Sequence, residues 1–382
     1  MCELTRSQKE IQKAAQEFAK GEFDKEVTTE LEKEHSYPER IWKKAADLGF
    51  VGIQFAEKYG GGGLGLMDAC LVAETLCRRD STMGSAISLA TFGAECLHRF
   101  GDEKLKAAFL PKVIEGEVLT GIALFETERG DDFSVLETTA KNAGSEWVIT
   151  GKKRYVINGG KAGFYLVLCR TEDRFDENGG TCLLLVEADR EGLGVTSLGD
   201  KLALNSVATA DLSFSQVRVP QTNAVGKEGR GISQVKAFLD EVKILAAARA
   251  VGIAAGALDR ALVYVKQREQ FDRKLAQFQI TRHKIADMAT KVELARLITY
   301  RAAADFDKGK SDPVLSAMAK MAAGRMAVEV ADEAIQLFGG YGYMTEQEVE
   351  RYYRDAKTIE LCLGTRESQK DLIADTVIGK LK

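Results

Sequence analysis

The stretch Gln336-Leu-Phe-Gly339-Gly340-Tyr-Gly342-Tyr343, with Glu350-Arg351-Tyr-Tyr-Arg354-Asp355-Ala-Lys357 and Gly364-Thr365-Arg-Glu-Ser-Gln369 behind it, carries the densest information in the chain. A glycine pair after a helical run reads as a helix C-cap. The same pair lets a phosphate-bearing ligand come close to the backbone, and the two roles are compatible. Outward from this stretch, the pattern is helical from Gly231 to the end, interrupted by one proline, Pro313. Leu245, Ala248, Val251 and Ala255 keep helical spacing, and helices of this length pack as an antiparallel bundle.

Upstream the period changes from helical to alternating. Glu146 to Lys152 reads as a strand entering a turn at Gly151, and Phe164–Cys169 and Cys182–Val186 are apolar strand candidates. Asp211 to Pro220 alternates polar and apolar residues, so about 120 to 220 forms a compact β unit. The first third is helical. Thr5 and Gln8 have capping-box spacing, Pro38 opens a helix that Gly49 closes, and further helices run from Met67 and over Glu103–Ile114, broken at Pro111. The run Gly60–Gly63 with Gly65 lacks the spacing of a phosphate-binding glycine loop and reads as a connector.

At 382 residues the chain exceeds what one core serves, so two or three units are expected. A formal net charge of -4 gives no electrostatic case for nucleic acid, and no segment reaches the roughly 20 apolar residues of a membrane span. The N-terminus lacks a signal or transit pattern. Seven scattered cysteines without a CxxC pair, and three histidines off ligand spacing, speak for free thiols in a reducing cytoplasm rather than zinc or disulfides.

The C-terminal stretch resembles the acyl-CoA dehydrogenase flavoproteins. Further matches are Tyr59-Gly-Gly, Phe100-Gly101-Asp-Glu-Lys104, Asn158-Gly-Gly-Lys161, Gly226-Lys-Glu-Gly-Arg-Gly231 and Arg268-Glu-Gln-Phe271 followed by Phe278-Gln279. The resemblance implies an α+β fold: an N-terminal helical domain (1–118), a middle β-barrel (119–225) and a C-terminal four-helix bundle (226–382). It also implies FAD, a CoA thioester substrate, a homotetramer and electron transfer flavoprotein as electron acceptor. Carried over, the distal FAD contacts are Arg268, Gln270, Phe271, Gln279, Gln336, Gly339, Gly340 and Thr365. Phe125, Asp131, Tyr155 and Ile157 fall beside the flavin ring. Asp240 and Lys243 fall where the CoA moiety is met.

Three departures alter the expected chemistry. Leu363 stands where the family carries the glutamate that removes the α-proton, and leucine accepts no proton. The alternative base position on a C-terminal-domain helix is Val242, with Glu241 beside it about 100° around the helix. Phe125 and Ile157 replace two hydroxyls that would hydrogen-bond the flavin. The leading expectation is therefore an FAD-dependent oxidoreductase with altered regiochemistry, such as 1,4-elimination on a cyclic enoyl-CoA. On the helix expected over Met83–His98, Glu95 is the candidate replacement base and Thr91 a pocket wall, although Glu95 also reads as a solvated helix residue. The alternatives are a desulfinase-like lyase using Arg78 or Arg79, and a non-catalytic acyl-CoA- or FAD-binding homologue.

Overall fold

The computed structural model describes residues 4–126, 130, 132–171 and 180–379. Helix α1 (Arg6–Glu22) starts at the expected capping box, with Thr5 Oγ1 accepting from Gln8 N at 3.2 Å and Gln8 Oε1 accepting from Thr5 N at 3.0 Å. Helices α2 (Lys25–Glu34) and α3 (Glu39–Asp47) follow, the latter between Pro38 and Gly49. The glycine connector is packed rather than loose: a Cβ on Gly61 would lie 2.2 Å from the Phe55 carbonyl oxygen.

Helix α4 (Leu66–Arg79) is apolar nearly all round and buried. Its N-terminus is closed from the far side of the fold, where the Asp307 carboxylate accepts from Leu66 N at 2.7 Å and Met67 N at 3.0 Å. The single helix expected over Met83–His98 is two, α5 (Ser81–Ser88) and α6 (Ala94–Phe100). Gly93, at φ 108°, makes the left-handed break between them. Helix α7 (Glu103–Ile114) runs through Pro111 instead of stopping there. The carbonyl that Pro111 leaves unpaired belongs to Ala107, an exposed position where water can serve it.

The middle unit holds β1 (Leu119–Ala123), β2 (Thr139–Asn142), β3 (Glu146–Ile157), β4 (Ala162–Thr171), β5 (Thr181–Glu187), β6 (Leu193–Ser197) and β7 (Thr209–Pro220). The expected barrel is not formed among the described residues. They make an open, mixed seven-stranded sheet in the order β1-β4-β2-β3-β7-β6, with β5 on the other edge of β4. The β1–β4 and β2–β4 pairs are parallel and the rest antiparallel, which breaks the all-antiparallel meander a small barrel would use. Gly151 does not end β3. It sits in a register shift against β7, and a Cβ there would come 2.6 Å from Thr138. Along β4 the faces alternate: Leu166 and Leu168 join the helical core, whereas Tyr165, Val167 and Cys169 join a separate core within the sheet.

Helix α8 (Gly231–Gln267) is the central rod, alanine-rich and buried over most of its length. A hairpin of β8 (Glu269–Gln270) and β9 (Arg273–Lys274) turns through Phe271 and Asp272, both at positive φ. Helices α9 (Gln279–Asp307), α10 (Pro313–Phe338) and α11 (Val349–Leu361) complete the four-helix bundle around α8, and α12 (Arg366–Ile378) packs on α10. Asp80 and Arg351 form a buried ion pair at 2.8 Å, and Ser81 and Thr82 donate to Asp355 at 2.5 and 2.7 Å. These contacts bolt α5 to α11.

Candidate active site and cofactor groove

A groove of about 530 Å³ opens where the end of α8, the β8–β9 hairpin and the end of α10 meet. Tyr264, Arg268, Gln270, Gln336, Gly339 and Gly340 line it. Five of the eight distal positions expected from sequence are therefore brought together. Gly339 caps α10 at φ 62°, ψ -139°, a conformation reserved for glycine. A Cβ on Gly339 or Gly340 would meet nothing within 4 Å, so the backbone there borders open space. Arg268 lies 5.9 Å from the centroid of the Tyr341 ring.

Three expected residues lie elsewhere. Phe271 is 87% exposed on the hairpin turn, and Gln279 is exposed at the start of α9. Thr365 caps α12, accepting from Ser368 N at 3.0 Å. None of the three lines the groove.

At the sheet, the Phe125 carbonyl accepts from Arg154 N at 2.9 Å, and its ring stacks on Phe133 at 6.0 Å. Tyr155 is 60% exposed with φ 55°, and its N–H donates to Asp211 Oδ1 at 3.2 Å. Ile157 is half-buried opposite Thr209. Asp131 lies outside the described residues. Sequence reasoning missed the anchor of this edge. Lys153, fully buried, donates to Glu126 at 2.7 Å and to the Leu124 carbonyl at 3.2 Å. The Glu126 carboxylate also accepts from Glu137 N and Thr138 N. Burial pushes the Glu126 acid up, but Lys153 outweighs it and holds the group below its usual range. The available signal was a lysine at an inward position of an alternating strand.

Leu363 is 6% exposed, packs into the main core and sits at φ 61°, with Gly364 at φ 96° behind it. A left-handed leucine costs about 1 kcal/mol or more, so the α11–α12 loop holds a strained backbone at the position where the resemblance places the base. Val242 is buried and equally without an acceptor.

Thr91 and Glu95 do meet: Thr91 Oγ1 donates to Glu95 Oε1 at 2.6 Å, and Gly93 N donates to Oε2 at 2.9 Å. The solvated reading of Glu95 is overturned, since the residue is 3% exposed. Burial pushes its acid up to about 7 against the pull of those hydrogen bonds. Thr91, Ser88 and Glu95 border one cavity, and Glu95 and Glu241 share a neighbouring one. Leu363 lines neither. Asp240, on α8 three residues before Lys243, is pushed up to about 6 by burial despite Lys243 and Arg99. Arg78 donates to both carboxylate oxygens of Asp259, at 2.6 and 2.9 Å, on a half-exposed surface.

One face of the sheet packs on the helical core, and at the bundle's edge a groove brings the Arg268 guanidinium beside the open Gly339–Gly340 backbone, as a phosphate-bearing cofactor requires. Family models for the acyl-CoA dehydrogenase N-terminal, middle and C-terminal domains match residues 5–117, 121–217 and 229–378. The chain belongs to the acyl-CoA dehydrogenase family, FAD-dependent oxidoreductases acting on CH–CH groups. It is 34% identical to "Acryloyl-CoA reductase (NADH)" of Anaerotignum propionicum, covering 99% of this chain and 96% of that one. It is 34% identical to "Acyl-CoA dehydrogenase, short-chain specific" of Clostridium acetobutylicum, over 98% of both. The fold superposes on butyryl-CoA dehydrogenase from Megasphaera elsdenii with TM-score 0.94 and 33% identity, covering 99% of this chain and 100% of that one. The groove fits the dinucleotide end of FAD, offering a guanidinium at Arg268 and open backbone at Gly339–Gly340.

Proposed function

We propose that this protein oxidises a CoA thioester with a regiochemistry other than ordinary α,β-desaturation, 1,4-elimination on a cyclic enoyl-CoA being the form that fits best. The observation that carries this reading is Leu363, an apolar side chain at the position of the α-proton base, with Val242 equally inert at the alternative position. FAD, when bound, supplies the hydride acceptor. Arg268 would clamp its diphosphate through two parallel N–H donors, with Gln270 and Gln336 alongside. Asp240 and Lys243 would meet the CoA moiety. Glu95, held by Thr91 and Gly93 and with an acid near neutrality, is the carboxyl suited to take a proton from the ring. Units 1–118, 119–225 and 226–382 would supply the acyl wall, the flavin face and the nucleotide groove, in a homotetramer that passes electrons to electron transfer flavoprotein.

The test is the visible spectrum of the purified flavoprotein during titration with CoA esters. Bleaching by a cyclohexene-carboxyl-CoA but not by a straight-chain acyl-CoA supports the reading. A protein that stays colourless after incubation with FAD, or one bleached equally by both esters, overturns it.

A further inference from the structure

Strands β4 and β5 bring two thiols together inside the sheet. In their antiparallel register Cys169 lies directly opposite Cys182, and both side chains are buried in the core within the sheet. Thr171 N donates to the Gly180 carbonyl at 2.7 Å, so that pair is a hydrogen-bonded one, and such pairs recur at every second residue of an antiparallel ladder. Cys169 and Cys182 are the next of them. Their Cα atoms therefore stand about 5.5 Å apart, within the roughly 4.4–6.8 Å that a disulfide spans. The sulfurs reach each other as well. That of Cys169 engages the Cys182 thiol and, together with burial, pushes it well up, so Cys182 is the partner that keeps its proton.

A cysteine by itself packs as a small hydrophobe. Cys70 and Cys77 on α4 and Cys96 on α6 do so in the helical core. Cys169 differs from them in facing a second sulfur and in having a buried cation at hand. Lys153 Nζ, paired with Glu126 at 2.7 Å, lies near enough for charge on the Cys169 sulfur to act on it. A cation beside a thiol favours the thiolate, which is the form that attacks an oxidant.

We propose that Cys169 and Cys182 form a peroxide-reactive dithiol, with hydrogen peroxide as the oxidant, Cys169 as the attacking sulfur and Cys182 as the resolving one. The Cys169 sulfur takes one peroxide oxygen, the O–O bond breaks, and the thiol proton leaves with the other oxygen as water. The Cys182 sulfur then displaces the hydroxyl of that sulfenic acid, which departs with the Cys182 proton as a second water. Peroxide has gained two electrons, one from each sulfur, and a Cys169–Cys182 disulfide remains. The pair lies two residues inside the end of β4, where fraying is cheapest, and hydrogen peroxide is small and uncharged enough to enter there.

The experiment exposes the folded flavoprotein, without any CoA ester, to hydrogen peroxide. Remaining thiols are then alkylated with iodoacetamide in denaturant and the chain is digested with trypsin. Cleavage after Lys161, Arg170, Arg174 and Arg190 leaves the two cysteines in separate peptides, 162–170 and 175–190. The expected product is these two peptides joined by a bond that dithiothreitol cleaves, formed about tenfold faster than Cys70, Cys77 or Cys96 is oxidised. Cys182→Ser should halt Cys169 at the sulfenic acid, captured by dimedone, whereas Cys169→Ser should leave Cys182 unoxidised. The flavin spectrum reports that both variants are folded. Full alkylation of both native peptides while other thiols oxidise, joining of either peptide to a different cysteine at an equal rate, or oxidation of Cys182 at the native rate in Cys169→Ser overturns the proposal.

Discussion

The two ends of the C-terminal signature solve opposite problems with the same backbone device. At Gly339 the chain turns at φ 62° where no Cβ is present, and the space beside it is open. At Leu363 it turns at φ 61°, but with a bulky apolar side chain driven into the core. The first end keeps a ligand-facing surface, and Arg268, Gln270 and Gln336 stand around it. The second keeps the strained loop and discards the group that would give the strain a chemical use. On the proposed reading, polar groups persist at the cofactor's far end and are lost beside its reactive end, where Phe125 and Ile157 are apolar too. On that reading, cofactor binding and α-proton abstraction are separable in this fold.

The strongest way to break the contrast is to restore an acceptor at the closed end. Leu363→Glu should raise α,β-desaturation of a straight-chain acyl-CoA by roughly 100-fold, the usual contribution of a positioned base. Flavin bleaching measures it directly, and unchanged turnover in a variant that retains flavin and ester would count heavily against the proposed regiochemistry. The converse change closes the open end. Gly340→Val adds a side chain into empty space at a residue without positive φ, so folding should be untouched. FAD affinity should nevertheless fall by about tenfold or more as the groove fills. If flavin stays bound with native affinity in equilibrium dialysis, the groove between Arg268 and Gly340 is not where the dinucleotide lies.

Much of this was legible in the sequence because it depends on local chemistry. Thr5 and Gln8 specify their cap within three residues, and the alternation from Asp211 to Pro220 needs no long-range information. The groove was legible too, since Arg268 and Gln336 occur in motifs dense enough to align. What stayed hidden depends on partners far along the chain. Pro111 stays helical because its orphaned carbonyl lies on a solvated face. The sheet stays open because β4 takes parallel neighbours that no spacing rule indicates. Glu95 is polar and helical, so it reads as solvated until α8 is laid across it. Glu241 was visible only as the neighbour of the Val242 position. It borders a cavity assembled by four separate elements.

Glu95 and Glu241 should also contribute to the pH dependence of stability. The Glu95 and Glu241 acids, ordinarily near 4.5, are raised by burial to about 7 and about 8 in the fold. Between pH 4.5 and 8 the folded state thus holds more protons than the unfolded one. Their contribution is most favourable below the lower limit and is lost as pH rises through that window. Glu241→Gln, which cannot ionise, should flatten the alkaline decline of Tm by a few degrees, whereas Arg268→Gln in the open groove should leave its slope unchanged. Equal slopes in native and Glu241→Gln protein would show that Glu241 is not held protonated by its surroundings.

The smallest expected effect lies at the flavin edge. Ile157 is half-buried on β3, and threonine is isosteric apart from one methyl group and introduces a hydroxyl where the resemblance expects one. If the apolar character of the reactive end matters only for proton transfer, Ile157→Thr should leave acyl-CoA regiochemistry alone. It should still add one hydrogen bond to the bound ring, worth about 1 kcal/mol. For a two-electron couple that corresponds to roughly 20 mV in the flavin midpoint potential. A spectroelectrochemical titration resolves such a shift. A potential that does not move would mean that residue 157 does not contact the ring. The contrast between the two ends would then rest on Phe125 and Leu363 alone.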